Sequence, residues 1–94
     1  MAKASSAAAV KRFTDIPNIG RAMAGDFALM GMVPGDIARS NPFELYRKLC
    51  VLTKTRQDPC VLDTFMAAVD FMRGGEAKPW WHFTPQRRAL HPEL

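Results

Sequence analysis

The sequence predicts an all-α domain, and three observations carry that prediction. Apolar residues recur at helical spacing, most clearly Val61, Leu62, Phe65, Met66, Val69 and Met72. No segment sustains the alternation of a half-buried strand, and β-branched residues are scattered. Proline and glycine punctuate the chain where helices would start and stop, at Pro17, Gly20, Gly31, Pro34, Pro42, Pro59 and Gly74-Gly75.

Residues 1–9 (MAKASSAAA) are small and polar and are expected to form a disordered tail. Val10 to Asp15 has room for one or two helical turns. Pro17 blocks continuation and pushes Ile16 to an extended conformation. Gly20 then opens a helix running to about Met30, with Ala22, Met23, Phe27 and Met30 on one face. Gly31 suits the left-handed position after a helix end. Pro34 suits a first helical position, so Pro34 to Arg39 reads as a short third helix. Asn41, Pro42 and Glu44 together make a start signal: a cap, a first-turn proline and an acid three residues on. The helix that follows runs to about Leu52 and offers Phe43, Tyr46, Leu49, Cys50 and Leu52 to the core. Asp58-Pro59 repeats the cap-then-proline signal, and a longer helix runs to about Arg73. Pro79 to Phe83 is a short aromatic segment. The body is thus 10–84, and residues 85–94 read as a polar tail.

The chain has 94 residues, enough for one domain with one core. Its apolar fraction of 48% is that of an ordinary globular protein. Thirteen Lys and Arg against nine Asp and Glu give +4, which suits a polyanion partner or a solvated basic surface. Two cysteines and the lack of a secretory segment argue against a disulfide framework and for a cytoplasmic location. No stretch is long enough to span a membrane. No carboxylate pair, nucleophile–base set or phosphate-binding glycine loop appears, so neither an enzyme nor a cofactor is expected.

Phe13 to Met32 (FTDIPNIGRAMAGDFALMGM) is the most informative stretch. It has the pattern of a helix-hairpin-helix unit: a short helix, a Pro/Gly hairpin holding one apolar residue, then a helix ending in Gly plus an apolar residue. Asn18 stands where many such hairpins carry Gly, and Asn tolerates a positive φ best among residues with a side chain. Ile19 can plug between the helices. The first amides of the following helix, near Ile19, Gly20, Arg21 and Ala22, point outward with the positive end of the helix dipole and make an anion site. Arg21 adds a formal charge there, with Lys11 and Arg12 just before it. The bland alternative is a helix–helix corner whose free amides meet water.

Phe13 to Phe83 resembles the pathogenicity-locus, or mitomycin-resistance, family of small helix-hairpin-helix proteins. The matching pieces are Asp15-Ile16-Pro17-Asn18-Ile19-Gly20, Met30-Gly31-Met32, Asn41-Pro42 with Leu45-Tyr46, Leu49-Cys50, Asp58-Pro59-Cys60 with Val61-Leu62, and Trp80-Trp81 with Phe83. The front half also resembles the C-terminal domain of competence-regulator proteins. The resemblance implies a tandem helix-hairpin-helix (SAM-like) domain with a longer C-terminal packing helix. By analogy it implies sequence-independent DNA binding through hairpin amides. In the wider superfamily the hairpin carbonyls also hold a monovalent cation that bridges to phosphate; the matching carbonyls here are those of Thr14, Ile16 and Ile19. The second hairpin, around Arg39-Ser40-Asn41-Pro42, lacks the glycine-rich turn, although Arg39 can still reach a phosphate.

Arg47 and Lys48, with Lys54 and Arg56, form a loose basic set that reads first as a solvated face and second as an extension of the phosphate track. Cys60 sits at a helix start, where the dipole lowers a thiol pKa, but a packed cysteine is the plainer reading. Cys50, Cys60, His82 and His91 match no zinc spacing. Of the adjacent Trp80 and Trp81, one should pack and the other stay half exposed, where an indole can stack on a base. The expected partner is the DNA backbone. The rival reading, a protein-interaction or homo-oligomerisation module, draws on the six methionines.

Overall fold

The computed structural model describes residues 3–94, and among them every regular element is helical. The radius of gyration, 12.4 Å, is that of a compact chain of this length. No helix among the described residues is long and apolar enough to cross a membrane.

The front of the chain builds two units in one register. Each opens on a 3-10 turn, Phe13–Asp15 in the first and Pro34–Arg39 in the second. In each, an aspartate turns back on the entering backbone. Asp15 Oδ2 accepts the N–H groups of Lys11 and Arg12 at 2.9 Å, and Asp36 Oδ2 accepts that of Val33 at 2.8 Å. Those two amide bonds, Lys11 first, hold the Asp15 carboxyl below its ordinary pKa. A fully buried isoleucine follows in both, Ile16 and Ile37. A tight connection then leads into a helix, α1 (Arg21–Leu29) or α2 (Pro42–Thr53). Asp15 and Asp36, Ile16 and Ile37, and the helix-entry residues Gly20 and Asn41 are all separated by the same number of residues.

The stop after α1 forms as its sequence predicts. Gly31 has φ 74°, Met32 N–H donates to the Phe27 carbonyl at 3.1 Å and Gly31 N–H to that of Ala28 at 2.9 Å. This pair of bonds satisfies carbonyls the helix end would otherwise leave open. On α2, Leu45 is buried while Leu52 is 44% exposed. The expected core position at Leu52 therefore shifts to Leu45, because α2 turns its Leu45-Tyr46-Leu49 face inward and ends one residue after Leu52.

The third helix, α3 (Pro59–Met72), is the hub. Every residue from Leu62 to Val69 is buried, as befits a helix covered on all sides. It packs against α2, the Pro34–Arg39 turn, the aromatic turn Trp80–Phe83 and a last helix. Phe65 meets Phe27 of α1 with ring centroids 5.2 Å apart, and Phe27 meets Phe13 at 5.1 Å. This aromatic line ties the first unit to the hub.

Both expected tails need correction over the described residues. Residues 84–90 form α4 (Thr84–Leu90), with Pro85 in the first turn where proline is tolerated. Arg87 of α4 is buried against Asp63 of α3, donating from Nε to Oδ1 at 2.8 Å and from Nη2 to Oδ2 at 3.3 Å. The Thr84 hydroxyl donates to Oδ2 at 2.7 Å. At the other end Ala4 N–H donates to the Asp15 carbonyl at 2.8 Å, Ala7–Ala9 makes a 3-10 turn, and Ala4 and Val10 pack against the core. Met1 and Ala2, the rest of that expected tail, lie outside the described residues.

α3 ends as abruptly as α1. Gly74 has φ 99°, and Gly75 N–H donates to the Asp70 carbonyl at 3.0 Å. A Cβ on Gly75 would fall 2.8 Å from that carbonyl oxygen and 2.4 Å from Asp70 Oδ2. The Asp70 carboxylate also holds Lys78 at 3.1 Å, so it is not free to swing away. Gly75→Ala is expected to cost about 1–3 kcal/mol in urea unfolding, while Gly35→Ala, with open space at its Cβ, stays near neutral.

Candidate nucleic-acid interface

The first turn is rigid on its inner side and open on its outer side. Asn18 adopts the left-handed conformation its residue type suggests, with φ 71°. Its Nδ2 donates to the Lys78 carbonyl at 2.7 Å, fastening the turn to the loop after α3. Ile16 and Ile19 are fully buried beneath it, and Ile19 N–H donates to the Ile16 carbonyl at 3.1 Å. The Asn18 side-chain amide and the Ile19 backbone amide therefore build the turn, each donating within the protein.

Gly20, Arg21 and Ala22 are the outward part, all exposed. No side chain caps α1, and its first backbone bond runs from Ala24 N–H to the Gly20 carbonyl at 3.0 Å. The amides of the first turn, from Arg21 onward, consequently have no intrahelical partner. They carry the positive end of the helix dipole beside the Arg21 side chain. Gly20 itself has ordinary extended dihedrals, φ −96° and ψ −173°, and a Cβ there would meet nothing within 4 Å. The fold does not require glycine at this position; its bareness leaves the approach to the amides clear.

The helix start of the second unit is closed. Asn41 Oδ1 accepts the N–H groups of Phe43 at 2.9 Å and Glu44 at 3.1 Å, so α2 caps itself where α1 does not. Arg39 is held by Asp36 at 2.6 Å, which cancels the charge it would bring to a phosphate. The physical weakness of this second turn as an anion site thus lies in its occupied amides and its paired arginine.

Arg47 and Lys48 do not join the first turn. The Arg47 guanidinium lies 5.9 Å from the Phe43 ring centroid. Lys48 Nζ donates to the Met30 carbonyl at 3.3 Å, neutralising the C-terminal end of α1. Arg21 stands at the other end of that nine-residue helix, about 13 Å away along its axis.

Two cations that the sequence reading passed over do sit at the turns. Lys3 Nζ donates to the carbonyls of Thr14 at 2.6 Å and Ile19 at 2.5 Å. Arg73 donates from Nε to the Ala38 carbonyl at 2.8 Å and from Nη2 to that of Ser40 at 3.2 Å. The carbonyls of Thr14, Ile16 and Ile19, expected to suit a monovalent cation, are therefore engaged within the chain: two by the Lys3 ammonium, the third by the Ile19 amide. The one available signal was that Lys3 is the single charged residue among the first ten.

The remaining candidates take structural places. Burial, and then the neighbouring Asp58 carboxylate, push the Cys60 thiol above its ordinary pKa, the opposite of dipole activation. Asp58 begins α3 without accepting a cap bond. Cys50 Sγ accepts Gln57 N–H at 3.4 Å, and His91 stacks on Phe43 with centroids 4.0 Å apart. Trp80 is half-buried, and Trp81, edge-on to it at 5.8 Å, is 61% exposed.

Comparison with known proteins agrees with the residue patterns. Mitomycin resistance protein McrB of Streptomyces lavendulae is 41% identical over 78 residues, covering 82% of this chain and 74% of that protein. No solved structure matches the chain. The pathogenicity-locus family model matches residues 6–89. Spanning nearly the whole described body, that match makes this chain a member of the pathogenicity-locus family.

Proposed function

We propose that this chain grips the DNA backbone without reading sequence, as part of resistance to a mitomycin-type drug. On this reading the two front units are tandem helix-hairpin-helix motifs of unequal strength. The first carries the phosphate contact through the amides of Arg21 and Ala22, the bare approach at Gly20, and the Arg21 side chain. The second serves chiefly as scaffold, since its helix is self-capped. The observation that carries the proposal is the contrast between those helix starts: α1 begins uncapped and exposed on a turn made rigid by Ile16 and Ile19, whereas α2 is sealed by Asn41. The net charge of +4 and the name of the Streptomyces relative support the same reading.

The test is binding to a labelled duplex across a salt series. Each phosphate neutralised by a Lys or Arg side chain should add about −0.9 to the log–log slope, starting with Arg21, and two duplexes of unrelated sequence should bind alike. A helical interaction module is the competing reading, supported by the exposed Leu29, Val33, Val51 and Leu52. It predicts concentration-dependent self-association or partner capture, and no salt-dependent duplex binding.

A further inference from the structure

We infer that Lys3 and Arg73 are tethered cations of the two turns and act as further phosphate contacts. The inference rests on the DNA-binding reading above. Two carbonyl oxygens converging on one point form a seat for positive charge. At the first turn the Thr14 and Ile19 carbonyls meet on the single Lys3 ammonium, and at the second those of Ala38 and Ser40 accept from two separate nitrogens of the Arg73 guanidinium; both cations come from a distant part of the sequence. One carbonyl of each seat corresponds: Ile19 and Ser40 both directly precede the helix-entry residue of their unit, while Thr14 and Ala38 stand at different positions in theirs. A side chain has therefore taken the seat that a diffusible monovalent cation would need at the first turn.

Neither cation is used up by its seat. An ammonium has three N–H donors and a guanidinium five. Lys3 spends two and Arg73 two. Both residues are exposed. Among the described residues neither reaches a carboxylate, whereas Arg39 and Lys78 are paired with Asp36 and Asp70. Their charge is thus held in place without a direct ion pair, although Lys3 stands near enough to Asp15 to help lower its carboxyl pKa. A cation already fixed by the protein loses less side-chain freedom on meeting a phosphate than a mobile one does. Lys3 Nζ lies against the carbonyl of Ile19, the residue directly before Gly20 and the start of α1.

The test measures duplex binding by Lys3→Met, Arg73→Met and the double variant over a salt series, with circular dichroism to confirm the fold. Each single substitution should make the log–log slope shallower by about 0.9, and the pair by about 1.8, because each removes one phosphate contact. Lys3→Arg should keep the parent slope. Replacing KCl with tetramethylammonium chloride at equal ionic strength should leave the parent's binding unchanged. Unaltered slopes in folded variants, or a parent that needs potassium to bind, would overturn the inference while leaving DNA binding intact. A parent that binds no duplex at any salt would overturn both.

Discussion

Arg87→Met is expected to lower the unfolding free energy by about 3 kcal/mol, the low end for a broken buried ion pair. The substitution keeps much of the apolar stem but removes both bonds to Asp63, a residue with no solvent exposure. The stranded carboxylate then has only the Thr84 hydroxyl. The low end applies because α4 is short and terminal, so it can lift away and let water reach Asp63. The cost is therefore capped by the docking energy of one helix. Two further variants separate charge from packing. Asp63→Leu combined with Arg87→Met should recover most of the loss, since an apolar pair of similar volume carries no desolvation penalty. Asp63→Leu alone should remain costly, since it strands the guanidinium. Urea unfolding of the four proteins gives the coupling directly. If Arg87→Met unfolds at the parent's midpoint, the ion pair does not hold α4 in place.

This pair also marks where the sequence stops being readable. Local punctuation was legible: the Asn41 cap, the Gly31 stop, the Pro34–Arg39 turn and the positive φ at Asn18 all follow from one residue type meeting one backbone requirement. The apolar stripe of α3 was legible for the same reason. α4 was not, because Arg87 reads as a tail charge until Asp63, 24 residues earlier, is seen on the buried side of α3. An acid beside Leu62 and among the buried positions of the hub demands a cation, and that demand was the missed clue. Lys3 is a similar case, since its partners lie 11 and 16 residues on. The candidate site was half legible. The hairpin sequence put Gly20, Arg21 and Ala22 at a helix start, and they lie exposed at the start of α1. It could not show that the Ile19 amide turns inward, that Asp36 holds Arg39, or that Lys48 serves the far end of α1. Each of those depends on which neighbour is nearest after folding, which residue type alone does not encode.

Gly20→Glu is expected to weaken duplex binding at least tenfold with the fold unchanged. The position is exposed, its backbone is in an ordinary extended conformation, and a Cβ meets nothing within 4 Å. The new carboxylate would lie at the positive end of α1, where negative charge is favoured. Stability should therefore stay within about 0.5 kcal/mol of the parent, or rise slightly. The same carboxylate occupies the phosphate's place and repels it. Because the change touches no core contact, a binding loss cannot be ascribed to unfolding.

The central claim is that the uncapped start of α1 is where DNA is held. Its most direct test is fluorescence anisotropy of one labelled duplex with the parent and Gly20→Glu at a single low salt concentration, each first shown to be folded by its urea midpoint. The account predicts equal midpoints and a dissociation constant at least tenfold higher for the variant. Equal midpoints with equal affinities would contradict it.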